Sequence, residues 1–351
     1  MNRKKFIARL FDLAGGIIVF PSILSCVQDS ELDKDSENKS NSPVLTSGTV
    51  RFGVITDVHQ DLIPDAEDRL GKFITEANKS NLDFIIQLGD FCFPVIKNSN
   101  FLEIWNSFIG DKFHVLGNHD LDVNSKETFL NFVSQSDRGA YFSFDKGGFH
   151  FVILDNNYIK SGEEFLPYSH QNYYDYSNSE INQVSPEQLV WLEKDLAQTD
   201  KPTIVFSHVP INKLVSNRND VLGIFRKENE KGKKVIAAFS GHQHLNWHLE
   251  LDGVNHVQIN SASYKYSGRD HEKVFGRYPE SVEKEYPILP SADPYDDSLF
   301  AIVEINGNVR QINIQGREAN FVPPSPYDLG YYEYTDQMSP SSKIDSRKIK
   351  F

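Results

Sequence analysis

The chain has 351 residues, of which 39% are hydrophobic and 24% charged, a composition typical of a globular protein with a sizeable core. The formal net charge is −13, and the sequence lacks a long stripe of lysine and arginine. This balance disfavours binding to the backbone of nucleic acids, which depends on clustered cations. A small anionic substrate remains compatible with it if metal ions supply local positive charge.

The N-terminal segment has the pattern of an export signal. Four basic residues precede an uncharged, apolar stretch over residues 13–27, which is shorter than the about 20 residues that span a membrane. The letters ILSC at residues 23–26 resemble a lipobox, in which Cys26 would be acylated after cleavage. We therefore expect a signal peptide over residues 1–26 and an exported lipoprotein, periplasmic or at the cell surface, anchored to the membrane at Cys26. Secretion without an anchor and a cytoplasmic tail are the alternatives.

The next segments indicate a tether followed by a folded domain. Residues 27–48 are polar and acidic and lack aromatic side chains, which predicts a disordered tether. Strand-like and helix-like segments then alternate. Helical spacing of apolar residues predicts a helix over DAEDRLGKFITEANKS, and a Ser-Pro start predicts another over SPEQLVWLEKDLAQT. Glycine turns predict three hairpins, which turn at residues 146–148, 252–253 and 306–307.

We assign one folded domain to residues 49–317. The remaining residues, 318–351, are rich in Pro, Tyr and Ser and show no clear core pattern, so we treat them as a C-terminal extension.

Five strand-like runs end in carboxylate, amide or imidazole side chains. The residues that follow them are Asp57 and His59, then Asp90, then Asn118, His119 and Asp120, then His208, and finally His242 and His244. Because the carboxyl ends of strands in an open α/β sheet form the crevice where ligands bind, we expect these five ends to converge. Carboxylate and imidazole without thiolate are ligands of divalent transition metals such as Mn, Fe, Zn or Ni. Asp90 has no neighbouring histidine and suits a position between two metals.

The ordered motifs D-x-H, G-D, G-N-H-D, H and G-H-x-H, all present between residues 57 and 244, resemble those of the calcineurin-like metallophosphoesterase family. The resemblance covers roughly residues 50–315. It implies the metallo-dependent phosphatase fold, a four-layer α/β/β/α sandwich. It also implies two divalent metal ions, the first bound by Asp57, His59, Asp90 and His244 and the second by Asp90, Asn118, His208 and His242. His119 would be a catalytic acid, and Asp120 would orient it.

The same resemblance implies hydrolysis of a phosphoester by a metal-bound hydroxide. Purple acid phosphatases carry a tyrosine where this chain has Phe93, so we do not expect a tyrosinate-bound ferric site. Asp120 resembles the equivalent residue of bacterial cyclic-nucleotide phosphodiesterases, whereas FGVITDVHQDLIPDAEDRL resembles a segment of enzymes that split ADP-ribose and CDP-alcohols. We expect a small-molecule phosphodiester or nucleotide-type diphosphate as substrate. A phosphomonoesterase, or a non-catalytic binding protein on the same fold, are the alternatives.

The other histidines, Cys92 and the tyrosine-rich loops are weaker candidates. His114 and His150 lie in strand-like segments and are expected to pack in the core. His248 and His256 alternate on the second hairpin, and either could line the cleft. Cys92 is expected to be a buried thiol rather than a ligand. Tyrosines cluster in residues 158–176 and 264–286, where they could stack on a base or sugar or form a partly buried lid.

Overall fold

The computed structural model describes residues 48–232, 234–267, 273–330 and 339–351. The expected signal peptide, its Cys26 anchor and nearly all of the tether therefore lie outside the described residues. The described residues contain 16 strands, β1–β16, and six α-helices, α1–α6. None of these helices is both long and apolar enough to cross a membrane.

The strands are β1 Thr49–Ile55, β2 Phe84–Gln87, β3 Asp111–His114, β4 Phe142–Lys146, β5 Phe149–Ile153, β6 Tyr158–Ser161, β7 Glu164–Pro167, β8 Thr203–Phe206, β9 Val235–Ser240, β10 Trp247–Leu251, β11 Val254–Gln258, β12 Tyr264–Tyr266, β13 Ala292–Pro294, β14 Ala301–Asn306, β15 Gln311–Gln315 and β16 Arg347–Lys350. The helices are α1 Ala66–Lys79, α2 Ser99–Asn106, α3 Lys126–Phe132, α4 Pro186–Ala197, α5 Arg218–Glu230 and α6 Glu280–Glu285.

Two six-stranded sheets form the centre of the fold. The first has the order β16-β15-β14-β1-β2-β3 and the second the order β10-β11-β9-β8-β5-β4. Strands β1, β2 and β3 are parallel, as are β5, β8, β9 and β11. In parallel strands the carboxyl ends meet at one edge, so each sheet brings several strand-end loops together.

The two sheets pack face to face over a core of aromatic and β-branched side chains. Phe52 of β1 stacks on Phe84 of β2 with ring centroids 4.9 Å apart, and it meets Phe206 of the opposite sheet edge-on at 5.6 Å. Side chains of this kind are fully buried, and each stabilises the fold by about 1.5–3 kcal/mol relative to exposure. This core fixes the distance between the sheets and therefore between their loops.

Helices cover the outer face of each sheet. Phe73 of α1 and Trp105 of α2 pack in one cluster with Ile85 of the first sheet. Leu192 of α4 and Phe225 of α5 pack in another cluster with residues of the second sheet. The layer order is therefore helix, sheet, sheet, helix, which confirms the expected four-layer α/β/β/α sandwich.

The local predictions are confirmed where the periodicity is strong. The two predicted helices are α1 and α4, and α4 begins after Ser185, whose hydroxyl accepts a hydrogen bond from the backbone N–H of Gln188 at 3.3 Å. The three predicted hairpins are β4-β5, β10-β11 and β14-β15. The sequence did not indicate α2, α3, α5 and α6. In α5 the residues are mostly polar, and only Val221, Phe225 and Glu228 are buried, so its apolar stripe is narrow.

The C-terminal segment contributes a strand to the first sheet, which its sequence did not indicate. Strand β16 pairs antiparallel with β15, and Ile344 and Ile349 pack in the core between the sheets. Strand β16 is short, lies at the edge of the sheet and alternates one apolar residue with charged ones. Such a strand carries too few apolar residues to register as a core pattern, and its charges suit a sheet edge.

Candidate metal centre

The five predicted strand ends converge on one site between the two sheets. Strands β1, β2 and β3 of the first sheet, and β8 and β9 of the second, contribute the side chains Asp57, His59, Asp90, Asn118, His119, His208, His242 and His244. Most of these residues are buried, and His119 and His242 are partly exposed. The core between the sheets thus brings together groups that lie up to 187 positions apart between Asp57 and His244.

A first cluster consists of Asp57, His59 and His244, whose ligand atoms all lie within 4.8 Å of one another. Nε2 of His244 lies 3.3 Å from Oδ1 of Asp57, and 3.1 Å from Nε2 of His59. Nε2 of His59 also lies 3.9 Å from Oδ2 of Asp90. These four residues are the set that the family resemblance implies for the first metal.

A second cluster consists of Asp90, His208 and His242, again with ligand atoms within 4.8 Å of one another. Nε2 of His208 lies 3.2 Å from Oδ2 of Asp90, 3.2 Å from Nδ1 of His242 and 3.1 Å from Oδ1 of Asn118. The same Asp90 oxygen faces a histidine of each cluster. Asp90 therefore occupies the position between the two clusters that a shared ligand requires.

The hydrogen bonds of two histidine Nδ1 atoms indicate that this set of side chains can bind cations. Nδ1 of His208 lies 2.8 Å from the carbonyl oxygen of Leu88, and Nδ1 of His244 lies 2.8 Å from that of Tyr264. A neutral ring that donates from Nδ1 has a lone pair on Nε2. Both Nε2 atoms point toward carboxylate oxygens and other imidazoles. Lone pairs that face one another at 3.1–3.3 Å repel unless a proton or a metal cation lies between them.

The electrostatics of the clusters agree with this interpretation. Burial lowers the pKa of His59 and of His242 to about 3, so both rings are neutral. Burial raises the pKa of Asp57, but His244 lowers it, to about 2. Burial lowers the pKa of His208, whereas Asp90 raises it to about 9, so a proton on this ring would compete with a bound cation. The site thus holds buried carboxylates whose negative charge a bound cation would offset.

The backbone of the ligand loops adopts an unusual conformation. Five candidate ligands have φ between 51° and 71°, namely Asp57, His59, Asp90, His242 and His244. Side-chain-bearing residues seldom occupy this left-handed region, and such strain concentrates at functional sites. A Cβ at Gly241 would overlap the side chains of Thr56 and Asp57. Glycine there is what permits the fifth loop to approach the first.

His119 pairs with Asp122 and not with Asp120, so the expected role of Asp120 is wrong. Nδ1 of His119 lies 2.8 Å from Oδ2 of Asp122, and Oδ1 of Asp122 accepts a hydrogen bond from the hydroxyl of Tyr173 at 2.7 Å. His119 begins a short 3₁₀ helix, in which side chains three positions apart lie on the same side. The spacing of a histidine and an aspartate at i and i+3 is the sequence signal that could have identified Asp122.

Asp120 instead fixes the loop that carries Asp90. Its Oδ1 accepts hydrogen bonds from the N–H groups of Phe91 at 2.7 Å and Cys92 at 3.1 Å. Its Oδ2 accepts from Gly117 at 2.8 Å and Asp90 at 3.2 Å. The side chain is fully buried, so four backbone donors depend on one carboxylate. Asp120 therefore acts through the backbone and does not contact the imidazole that it was expected to orient.

The structure gives His119 the properties of a proton donor. Burial lowers its pKa, but Asp122 and Asp90 raise it to about 9. Its backbone N–H donates to Oδ1 of Asp90 at 2.8 Å, which ties it to the shared ligand while its ring bonds to Asp122. The ring is therefore free of both ligand clusters and lines the cavity beside them.

A cavity of about 140 Å³ opens beside the two clusters. Apart from the candidate ligands and His119, its lining consists of Leu62, Tyr174, Leu214, Gln243, Leu245, Tyr264, Lys265, Tyr266 and Ile288. Each tyrosine-rich loop thus contributes to the lining, while Tyr168 and Tyr173 are buried in the fold. The sequence did not single out the leucines, Ile288, Gln243 or Lys265, because they lie outside any motif.

The weaker candidates have structural roles or lie away from the cavity. His114 is buried beside Gln87, and His150 is buried between two aspartates, which confirms both as packed residues. His248 lies within hydrogen-bond distance of a side chain on the neighbouring strand, and neither it nor His256 lines the cavity described above. Cys92 is a buried free thiol, and burial raises its pKa.

Comparison with known proteins identifies the family. The family described as calcineurin-like phosphoesterase matches residues 50–246, and no curated protein matches the chain. Among solved structures, a dimetal phosphatase from Danio rerio (LOC 393393) has a TM-score of 0.54 at 15% identity, covering 78% of this chain and 99% of that one. Purple acid phosphatase PPD1 from yellow lupin (Lupinus luteus) seeds has a TM-score of 0.44 at 15% identity, covering 85% and 54%.

The structural likeness to the dimetal phosphatase shows the fold, and the family match covers more than half of the chain, including all five motif-bearing strand ends. The chain belongs to the calcineurin-like phosphoesterase family and is a metallophosphoesterase, a hydrolase of phosphoric esters.

Proposed function

We propose that the chain hydrolyses a phosphodiester or a nucleotide-type diphosphate in a reaction that requires two divalent cations. The observation that carries this proposal is the pair of ligand clusters that Asp90 joins, with His119 beside them on the wall of one cavity. A binding protein without turnover would not need His119 to be oriented by a separate buried carboxylate.

The side chains that would bind the cations are Asp57, His59, Asp90 and His244 for one, and Asp90, Asn118, His208 and His242 for the other. Nitrogen and oxygen donors without thiolate favour Mn, Fe, Zn or Ni. Two cations at these positions would lower the pKa of water and neutralise charge that develops on the phosphoryl oxygens.

The remaining residues act on the leaving group. His119 donates a proton to the oxygen that leaves phosphorus, as a general acid. Asp122 orients the imidazole through the hydrogen bond to Nδ1, so that Nε2 is the donor. Tyr173 donates to the other oxygen of Asp122 at 2.7 Å and fixes that carboxylate in turn.

The lining of the cavity favours a diester or diphosphate over a monoester. Among the described residues that line it, Lys265 is the sole lysine or arginine, whereas leucine, isoleucine and tyrosine side chains form much of the remaining wall. A phosphomonoester carries one organic group, whereas a diester, or a diphosphate that joins two organic groups, carries one on each side. Apolar and aromatic walls suit organic groups on either side of the phosphate.

An assay with two chromogenic substrates tests the proposal. Metal is removed with a chelator, Mn²⁺ is restored, and hydrolysis of bis-p-nitrophenyl phosphate and of p-nitrophenyl phosphate is measured in each state. We expect activity only with restored metal, and a higher kcat/KM for the diester. Activity that survives full metal removal, or a clear preference for the monoester, would contradict the proposal.

We also propose that the protein is exported and anchored to a membrane through acylated Cys26. The basic start, the apolar stretch over residues 13–27 and the lipobox-like ILSC support this proposal. Residues 27–48 would then link the anchor to the catalytic domain, which begins at β1.

A further inference from the structure

Lys265 is a partly buried cation beside the metal-ligand loop, and the reaction described above does not use it. It lies in β12, and its side chain lines the same cavity as the candidate ligands and His119. Its Nζ donates a hydrogen bond to the carbonyl oxygen of Gln243 at 3.2 Å. Gln243 lies between His242 and His244, one from each cluster. The ammonium group is therefore held against the loop that carries one histidine of each cluster.

The carboxylate that faces Lys265 across the pair of strands β12 and β13 is already bound to another cation. Asp293 faces Lys265 in the register of β12 and β13, but its Oδ1 forms an ion pair with Arg277 at 2.8 Å. No ion pair links Lys265 to a described aspartate or glutamate. A partly buried lysine without an ion pair suggests a site that is completed by an anionic ligand.

A second lysine adds to this positive charge. Burial lowers the pKa of Lys265 to about 8, Asp293 raises it, and the nearby charge of Lys213 lowers it. Lys213 precedes Leu214, which lines the cavity, and its Nζ lies 5.9 Å from the centre of the Trp247 ring. These two lysines therefore place positive charge near the cavity, although the chain as a whole has a net charge of −13.

The size of the cavity indicates which part of a substrate Lys265 would contact. Its volume of about 140 Å³ is well below the roughly 300 Å³ at which pockets begin to enclose whole organic ligands. It suits the phosphate part of a substrate, while the organic groups extend past the leucine and tyrosine walls. If a phosphate bound at the two clusters, Lys265 would lie beside it, where a second phosphate attached to the first could bind.

We propose that Lys265, supported by Lys213, forms a second anion subsite that binds the phosphate next to the scissile one. The inference rests on the proposed function and selects, within it, a diphosphate that joins two organic groups. Water supplies an oxygen to one phosphorus, the bridging P–O bond breaks, and the bridging oxygen leaves with its electron pair on the second phosphate. The products are two phosphate monoesters. Lys265 stabilises the charge that develops on the leaving phosphate.

The test compares a substrate with two phosphates and a substrate with one. ADP-ribose and bis-p-nitrophenyl phosphate are assayed with the Mn²⁺-loaded wild type, Lys265→Met, Lys265→Arg and Lys213→Met. Removal of one charge-assisted hydrogen bond should lower kcat/KM for ADP-ribose by roughly 10- to 100-fold more than for bis-p-nitrophenyl phosphate in Lys265→Met. Lys265→Arg should restore most of the difference, and Lys213→Met should show a smaller one.

Calorimetry provides a readout that is independent of turnover. The α,β-methylene analogue of ADP-ribose, which has a carbon in place of the bridging oxygen, should bind the wild type more tightly than Lys265→Met by a similar factor. Lys112→Met is the matched control, because Nζ of Lys112 also donates to a main-chain carbonyl, that of Phe108, at 3.1 Å, but at the opposite end of β3 from the site. The control should behave as the wild type.

The outcomes separate this inference from the proposed function. Equal losses for both substrates would show that Lys265 only positions the ligand loop and would overturn the subsite, as would unchanged binding of the analogue. If Lys265→Met loses metal, Lys213→Met decides, and unchanged analogue binding there overturns the inference. Binding of the analogue that depends on Lys265, without hydrolysis of either substrate, would support the subsite and refute the proposed function.

Discussion

The replacement His119→Ala should slow hydrolysis in proportion to the need of the leaving group for a proton. General acid catalysis contributes typically about 10²–10⁴-fold, so the loss should fall in that range for an alkoxide leaving group such as that of 3′,5′-cyclic AMP. With bis-p-nitrophenyl phosphate the loss should be much smaller, because p-nitrophenolate leaves without protonation. Both metals should remain bound, since the ring of His119 contacts Asp122 and belongs to neither ligand cluster.

The two neighbouring aspartates should give different results, although each lies within three residues of His119. Asp122→Asn removes the charge of one buried hydrogen bond of 2.8 Å, worth about 1.5–3 kcal/mol, and should cost roughly 10- to 100-fold with the same leaving-group dependence. Asp120→Asn turns an amide NH₂ toward two of the four backbone donors that now bind the carboxylate. Two unsatisfied buried donors cost about 2–6 kcal/mol, so this variant should lose stability and metal.

The assay is a comparison of kcat/KM for the two substrates in each variant, together with metal content and urea unfolding. Equal rate losses for both leaving groups in His119→Ala, or loss of a metal, would refute the assignment of His119 as the acid. A leaving-group dependence in Asp120→Asn but not in Asp122→Asn would refute the pairing of His119 with Asp122.

Three further predictions concern other parts of the chain. Asp90→Asn should lose at least one metal and nearly all turnover, because a neutral amide cannot offset two cations; two full metal equivalents with a normal rate would exclude Asp90 from the site. Cys26→Ala should move the protein from the membrane fraction to the soluble fraction, and a variant that stays membrane-bound would rule out this anchor. Burial lowers the pKa of His150, but hydrogen bonds to Asp195 and Asp145 raise it above its ordinary value. Its stabilisation is therefore complete below about pH 6.5 and is lost as pH rises through the raised pKa. The difference in unfolding free energy between wild type and His150→Gln should therefore shrink as pH rises above about 6.5, and a constant difference would contradict this.

The motifs predict the site because metal ligation demands particular residue types at strand ends. Asp57, Asp90 and His208 each follow a short, buried, apolar run, and that local pattern can be read without knowledge of the fold. Once five such runs end in nitrogen and oxygen donors, a common edge of parallel strands is the arrangement that places them together. The strong helices and hairpins were predictable for a related reason, since their periodicity and turn residues are local properties.

The choice between Asp120 and Asp122 illustrates what the motif leaves undecided. Both are buried carboxylates near His119, and the G-N-H-D motif draws attention to the first. The 3₁₀ turn places the second beside the imidazole, and the approach of the β2 loop gives the first its backbone donors. The contacts of Asp120 join segments about 30 positions apart, and no pattern within either segment encodes them.

The sequence by itself determined the family motifs, the candidate ligands and the α/β character of the chain, because each is expressed in residue type and short-range spacing. Only the tertiary structure decided that β16 completes the first sheet, that Asp120 binds the backbone of the loop after β2, and that Lys265 lies against the loop of Gln243. Each of these depends on packing between distant segments. The free energy of such packing comes from surfaces that exist only once the two sheets have closed on their common core.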